Sequence, residues 1–510
     1  MNTLTLLVTT LLVCGCTVTP EVARPELEVE VPQTWSTGAT DAYDTIVSEW
    51  WTDFSDPVLD GLVVEALARN PSLGVASARL RAALAQARIS GATLYPQVGA
   101  GLSGSRRRQN FIGFDFFGSS TDQDSGSGST SPGSARGSSI LSSTSTRLGV
   151  SLDVSWEIDL WGKARAARRG ALASVEAAAA DNEAAHLSIA GQTAKAWFAL
   201  IESKQQLELA NAALRSYRTT TEQVRARYEH GLRPSLDLRL ALSELASAQA
   251  LVERRRERLD GTLRQLEILV GRYPAGQLSS PSTLPEPPSV PPAGVPSQLL
   301  SRRPDLVAAE RRLNASVELS AEARASLYPS LGLTGSSGTS SEQLRDLLDG
   351  DFSVWAIGAS LIQPVFQGGR LRAAVELADA REAEAMQAYA NSVLNAYAEV
   401  ESLLAVDGFL AARERQLATA SRESDAARRL AEERYLAGLE DYVTVLSAQR
   451  NALAAESSYL DARRARLDAR VDLYLALGGG FRAELAPGTV SSPDEETADY
   501  RRLETGDNRS

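Results

Sequence analysis

Residues 70–96, NPSLGVASARLRAALAQARISGATLYP, return as residues 303–329, RPDLVAAERRLNASVELSAEARASLYP, displaced by 233 positions. Further on, RYEHGL at 227–232 returns as RYLAGL at 434–439, displaced by 207. A chain duplicated in this way folds as two copies of one unit, each with the same order of elements. The two displacements differ by 26 residues, which must be an insertion between Pro96 and Arg227. There, 17 of the 29 residues 118–146 are Gly or Ser, too little apolar surface to order a segment by burial, so a long mobile loop is expected. The halves meet at SPSTLPEPPSVPPAGVPS (280–297), whose seven prolines make it an extended connector rather than a helix or strand.

The same order of elements is expected in each half. A helix (about 58–91, then 298–325) ends at a Tyr-Pro pair. Two strands follow, at about 96–105 and 147–160, then at 329–338 and 352–363. A very long helix comes next, from about Lys163 to Glu229 and from about Gly369 to Ala437. Gly231 and Gly438 stand where a helix C-cap needs a left-handed residue, and each leads into a last helix ending near Gly271 or Gly478. The domain division expected from this is a leader at 1–15, an N-terminal segment at 16–57, a first repeat at 58–279 with a hairpin at 96–160, the linker at 280–297, a second repeat at 298–480 with a hairpin at 329–363, and a polar, disordered tail at 481–510. At 1.5 Å per residue each long helix would run about 100 Å, more than a globular domain needs. Fifteen of the 38 residues 163–200 are alanine, which lets helix backbones approach closely, as in coiled coils or stacked helical walls.

The strands carry the second constraint. In LGVSLDVSWEIDL (148–160) every even position is apolar and the odd positions are Gly, Ser, Asp or Glu. Thirteen residues of period two make a strand with one oily and one polar face. Leu148, Val150, Leu152, Val154, Trp156 and Ile158 are the candidate lipid-facing residues, because a strand crossing a membrane needs about 9–11 residues alternating apolar and polar. A sandwich strand with one wet face would look similar. Four strands cannot close a barrel, and an open edge in lipid is prohibitively costly, so the strands either form a small soluble sheet or are pooled by several chains. Three chains would supply twelve.

Composition narrows the function classes. A net charge of −12 over 510 residues argues against a nucleic-acid binder. With only His186, His230, Cys14 and Cys16, the chain offers no Cys/His metal cluster and no disulfide framework. No nucleophile–base pair or carboxylate dyad stands out, so no enzyme and no cofactor is expected. GAGLSG (99–104) fits a dinucleotide pattern but opens no helix, so it lacks the context that cradles phosphate. The start, MNTLTLLVTTLLVCGC, resembles a bacterial lipoprotein signal, with Val13-Cys14-Gly15-Cys16 as the lipobox, although its first residues carry no Lys or Arg. Cleavage before Cys16 would leave diacylglycerol and a fatty acyl group on that residue. No other stretch has about 18 uninterrupted apolar residues, so no transmembrane helix is expected.

Several long motifs in order now resemble the TolC-like outer-membrane efflux proteins, nearest their lipid-anchored OprM and NodT branch: WWTDFSDPVLDGLVVEALARNPSL (50–73), WEIDLWGKAR (156–165), LPEPPSVPPAGVPSQLLSRRPDLVAAERRL (284–313), PVFQGGRLRAA (364–374), RYLAGLEDYVTVLSAQR (434–450) and LYLALGGG (473–480). The resemblance implies a mainly α homotrimer with a 12-stranded β-barrel, four strands per subunit, in the outer membrane and a long α-helical barrel in the periplasm. It implies a passive exit duct for drugs, toxic compounds or metal ions, served by a periplasmic adaptor (membrane fusion) protein and an inner-membrane pump of the resistance-nodulation-division type. A duct for type I protein secretion is the alternative within transport; a periplasmic structural coiled-coil lipoprotein is the alternative from another class. By the same resemblance, Arg227, Tyr228, Gly231, Arg434, Tyr435, Gly438 and Leu439 are the adaptor-contact tip. Val443 takes the place of an apolar gate ring, and Ser447 that of an aspartate ring. Three serines would neither bind cations nor repel one another as three carboxylates do; Asp441 lies near enough to stand in. Arg106, Arg107 and Arg108 would fall at the outer rim, where lipopolysaccharide phosphates lie, and a solvated loop charge run is the other reading.

Overall fold

The structure, a computed structural model, describes residues 34–36, 48–111 and 141–481. Cys16 and the leader, residues 118–140 of the Gly/Ser-rich stretch, and the tail beyond Phe481 lie outside the described residues. Among these, the helices are α1 (Pro57–Arg69), α2 (Pro71–Ala92), α3 (Lys163–Glu229), α4 (Ser235–Val270), α5 (Pro304–Ala325), α6 (Arg370–Leu436) and α7 (Tyr442–Ala476), with short helical turns at Trp50–Phe54 and Leu299–Arg302. The strands are β1 (Gln97–Phe111), β2 (Leu141–Ile158), β3 (Ser330–Ser341) and β4 (Ser353–Ile362). Two helices expected to be continuous are broken at equivalent places. Asn70 and Arg303 are extended (ψ 124° and 119°), because the Pro71 and Pro304 rings disfavour the helical conformation in the residue before them.

The described residues form two compact units, each discontinuous in sequence. One contains Ala85–Ala171 and Ser316–Arg381; the other contains the described residues up to Leu84, Leu172–Ala315, and those from Glu382 onward. The first holds a four-stranded antiparallel sheet in the order β1-β2-β3-β4, so β1 and β4 are open edges. Its first hairpin outgrows expectation: β1 runs six residues past Ser105, and β2 begins at Leu141 rather than 147. Arg106–Phe111 pair in register with Leu141–Thr146, so a ladder of backbone hydrogen bonds extends the hairpin where the apolar alternation has stopped. Strands of 15 and 18 residues against 12 and 10 in the second hairpin absorb part of the insertion.

The second unit is helical. Its main core is aromatic: Trp50 stacks on Tyr474 at 5.2 Å, and Phe54 packs on Phe198 at 5.2 Å. The Tyr474 hydroxyl donates to Asp53 (2.6 Å), and Trp197 Nε1 donates to Asp56 Oδ2 (2.7 Å). Asp56 Oδ1 meanwhile accepts from Val58 and Leu59 amides, capping α1. The stretch WWTDFSDP thus clamps α3 to α7 with buried rings, each worth about 2–3 kcal/mol of apolar burial. Arg470 is buried in the same unit and donates to Asp407 at 2.7 Å.

Candidate functional site

Two regions carry the residues singled out by sequence: the sheet, and the paired turns after α3 and α6. In an antiparallel sheet directly opposed residues share a face. The register therefore gathers Val98, Ala100 and Leu102 of β1, the six even residues Leu148 to Ile158 of β2, Leu331 and Leu333 of β3, and Trp355, Ile357, Ala359 and Leu361 of β4 onto one face. The opposite face carries Gly99, Gly101 and Ser103, then Ser151, Asp153, Ser155 and Glu157, then Gly332, Thr334 and Ser336. The apolar face is exposed on β1 and β4, where Leu102 keeps 78% of its surface and Ile357 83%, and partly covered on β2 and β3, where Leu148, Val154, Trp156, Ile158, Leu331 and Leu333 are half-buried. Aromatic groups gather at its lower end, where Trp156 donates to the Leu94 carbonyl (3.0 Å) and Trp161, stacked on Tyr328 at 5.0 Å, donates to the Pro329 carbonyl (2.8 Å).

The two turns close the other set. After α3, Gly231 has φ +73°, its amide donates to the Tyr228 carbonyl (2.9 Å), and the Leu232 amide donates to the Arg227 carbonyl (2.8 Å). After α6, Gly438 has φ +77°, and the same two bonds run to Tyr435 (3.0 Å) and Arg434 (2.9 Å). Both are left-handed helix caps that satisfy the last carbonyls. A side chain at either glycine would meet nothing within 4 Å, so conformation and not space calls for glycine.

Around these caps the side chains are unequal. Arg227 donates to the carbonyls of Tyr435 (2.9 Å) and Leu436 (2.8 Å), capping α6, and lies 4.6 Å from the Tyr435 ring centre. Arg233, which sequence reasoning passed over, covers the same ring at 5.2 Å and donates to the Glu440 carbonyl (3.0 Å). Its only signal was the duplication, which sets Arg233 against Glu440. Tyr435 is buried beside Tyr442, the ring centres 6.1 Å apart, and burial pushes the Tyr435 phenol above its usual range and that of Tyr442 up to about 12. Arg434 stays outside and pairs with Glu440 at 3.4 Å.

Asp441 is the N-cap of α7: its carboxylate accepts from the Thr444 amide at 2.8 Å, and that bond holds its pKa below the ordinary value. Leu439, Val443 and Ser447 are exposed. Val443 and Ser447 stand one turn apart on the face of α7 opposite Tyr442, Val445, Leu446 and Gln449, which are buried. Beneath them the helices are tied by a polar junction at Gln449, whose side-chain nitrogen donates to Glu432 (2.8 Å) and shares its second N–H between Ser216 and Thr220 (both 3.1 Å). Among the described residues no group of His, Cys, Asp or Glu could hold a metal ion, and no helix is long and apolar enough to cross a membrane.

The family model for outer membrane efflux proteins matches residues 62–272 and 295–479. The pyoverdine export outer membrane protein OpmQ of Pseudomonas putida is 35% identical over 90% of this chain and 94% of its own. Among solved structures, the outer-membrane channel OprN superposes with a TM-score of 0.78 at 28% identity, covering 91% of this chain and 99% of that one. The open-state MtrE outer membrane channel of Neisseria gonorrhoeae gives 0.75 at 30%, covering 92% and 99%. Proteins of this family are trimeric outer-membrane channels of tripartite efflux pumps and work with an adaptor and an inner-membrane pump. With the family model matched across both halves, and a sheet that has one exposed apolar face and two open edges, the chain belongs to the outer membrane efflux protein family.

Proposed function

We propose that three copies of this chain join their sheets, β1 of one against β4 of the next, into a 12-stranded barrel that forms the outer-membrane exit of an efflux duct for small molecules. The sheet supports this reading most strongly. A four-stranded sheet with an exposed apolar face is unstable in water, and its open edges are prohibitive in lipid; three copies close the edges, and the bilayer covers the apolar face. The apolar face meets the acyl chains, and the Gly/Ser/Asp face lines the pore. The duct does no chemistry of its own: the pump supplies the energy and the adaptor docks on the turns at Gly231 and Gly438. Acylation of Cys16 anchors each subunit to the membrane.

At the periplasmic end, Val443 and Ser447 of three α7 helices ring the closed channel. Asp441 is held at its cap, so the ring one turn beyond Val443 is hydroxyl and not carboxylate. Ser447→Asp should therefore introduce block by divalent cations that the native channel lacks, read as current loss in planar bilayers. The barrel itself is tested by paired variants. Leu152→Arg places a charge among acyl chains at about 2–4 kcal/mol per subunit and should abolish membrane assembly, whereas Ser151→Arg on the polar face should assemble. Equal tolerance of the two would rule out the barrel.

A further inference from the structure

The strand register gives the three consecutive arginines of β1 different destinations. Arg106 is opposite Thr146 and Arg108 opposite Thr144, so both share the face of Leu148, Val150 and Leu152. Arg107 is opposite Ser145, on the face of Asp153 and Glu157. The Arg108 side chain follows its register, donating from Nη2 to Ser142 Oγ at 3.1 Å on the same outward face. All three arginines are exposed.

Height along the sheet decides what the outward pair meets. From Ile158 to Leu148 the apolar band spans ten residue steps, about 33 Å of strand, or about 25 Å of membrane normal at a tilt near 40°. That matches the hydrocarbon thickness such barrels cover. Thr146 and Thr144 are two and four residues beyond Leu148, which puts Arg106 and Arg108 roughly 5 and 10 Å above the band, at headgroup depth. Around them on this face of β1 and β2 stand Ser142, Thr144, Thr146 and Asn110, with no carboxylate. The connection after β3 carries Glu342, Asp346, Asp349 and Asp351, outside this face of β1 and β2; Asp346 is engaged by Ser341 and Arg345, and Asp349 by the Asp351 amide.

We propose that Arg106 and Arg108, with the hydroxyls of Thr144 and Thr146, form a binding site for the phosphate groups of an outer-leaflet lipid of the lipid A class. Two arginines whose backbones stand about 7 Å apart along one strand face present guanidinium donors that fit phosphate oxygens and no neutral headgroup. Arg107, on the pore side, takes no part. The site rests on the barrel reading given above, since only that reading turns this face toward lipid.

The test uses the purified full-length trimer in detergent, titrated with lipid A and with chemically dephosphorylated lipid A, bound lipid being counted by native mass spectrometry. Retention of lipid A should fall about fivefold in Arg106→Gln or Arg108→Gln and about thirtyfold in the double variant, with Arg107→Gln unchanged. The dephosphorylated lipid should bind native protein no better than the double variant does. Equal retention by the double variant, an equal loss in Arg107→Gln, or full displacement by millimolar inorganic phosphate would each overturn the site. Conductance in planar bilayers separates the two levels. A double variant that still conducts while losing lipid A supports the site. A native trimer that conducts yet shows no preference for phosphorylated lipid removes the site and leaves the channel standing. A native chain that forms no conducting trimer removes both.

Discussion

Tyr228 and Tyr435 occupy equivalent positions in the two halves, each the last residue but one of its helix and three before a left-handed glycine, yet Tyr228 is 41% exposed and Tyr435 1%. The two backbones are nearly interchangeable, with φ +73° and +77° at the glycines and the same pair of capping bonds. The surroundings are not. Arg227 and Arg233 of the first turn both reach across to the second, while Arg434 of the second turns outward. Local sequence sets the cap, because a left-handed residue and two spare amides are all it needs. Which turn becomes the buried one is settled by the helices packed beside it, so duplication alone cannot choose between them.

The asymmetry is broken most strongly at its arginines. Arg227→Ala removes two charge-assisted bonds to the end of α6 and the cover over Tyr435. That should lower the local opening free energy by about 2 kcal/mol, seen as roughly thirtyfold faster amide exchange through residues 434–441. Arg434→Ala should change the same amides by less than about 0.5 kcal/mol, since among the described residues it makes an exposed ion pair with Glu440. Comparable losses would mean that the two turns are equivalent after all. The glycines sharpen the comparison from the other side. Gly231→Ala and Gly438→Ala should each cost about 1 kcal/mol, and equally, because both sites need a positive φ and neither is crowded.

Acid should separate the turns more gently. Asp441 caps α7 through its carboxylate, and its folded pKa lies below the ordinary value; Pro234 begins α4 with no side-chain cap. A carboxylate with a depressed folded pKa contributes its stabilisation fully above the unfolded pKa, near 4, and loses it as pH falls through the folded pKa. Amides at the start of α7 should therefore exchange relatively faster below about pH 4 than those at the start of α4. Asp441→Asn, which keeps a capping oxygen, should remove that difference.

The same division between local and tertiary information runs through the rest of the molecule. The long helix Lys163–Glu229 was legible to its last residue, because Gly231 and an alanine-rich run mark both its continuity and its end. The strands were legible only where they alternate. Arg106–Phe111 and Leu141–Thr146 carry no apolar period, and what holds them in the sheet is the backbone ladder between them. The breaks at Asn70 and Arg303 were hidden because helical periodicity resumes immediately after each proline. Of the turn residues, Arg227, Tyr435 and Gly438 could be found from the repeated RYxxG pattern. Arg233, the Gln449 junction and the hold of Trp197 on Asp56 could not, since each joins residues far apart in the chain.

The most direct test is to extract the full-length protein in mild detergent, measure its oligomer mass, and record its current in planar lipid bilayers. A trimer giving small, discrete, gated openings is the result the proposed closure of three four-stranded sheets into one barrel predicts. A monomer or dimer that never conducts would contradict it, and would leave the exposed apolar face of the sheet without the lipid it is read as meeting.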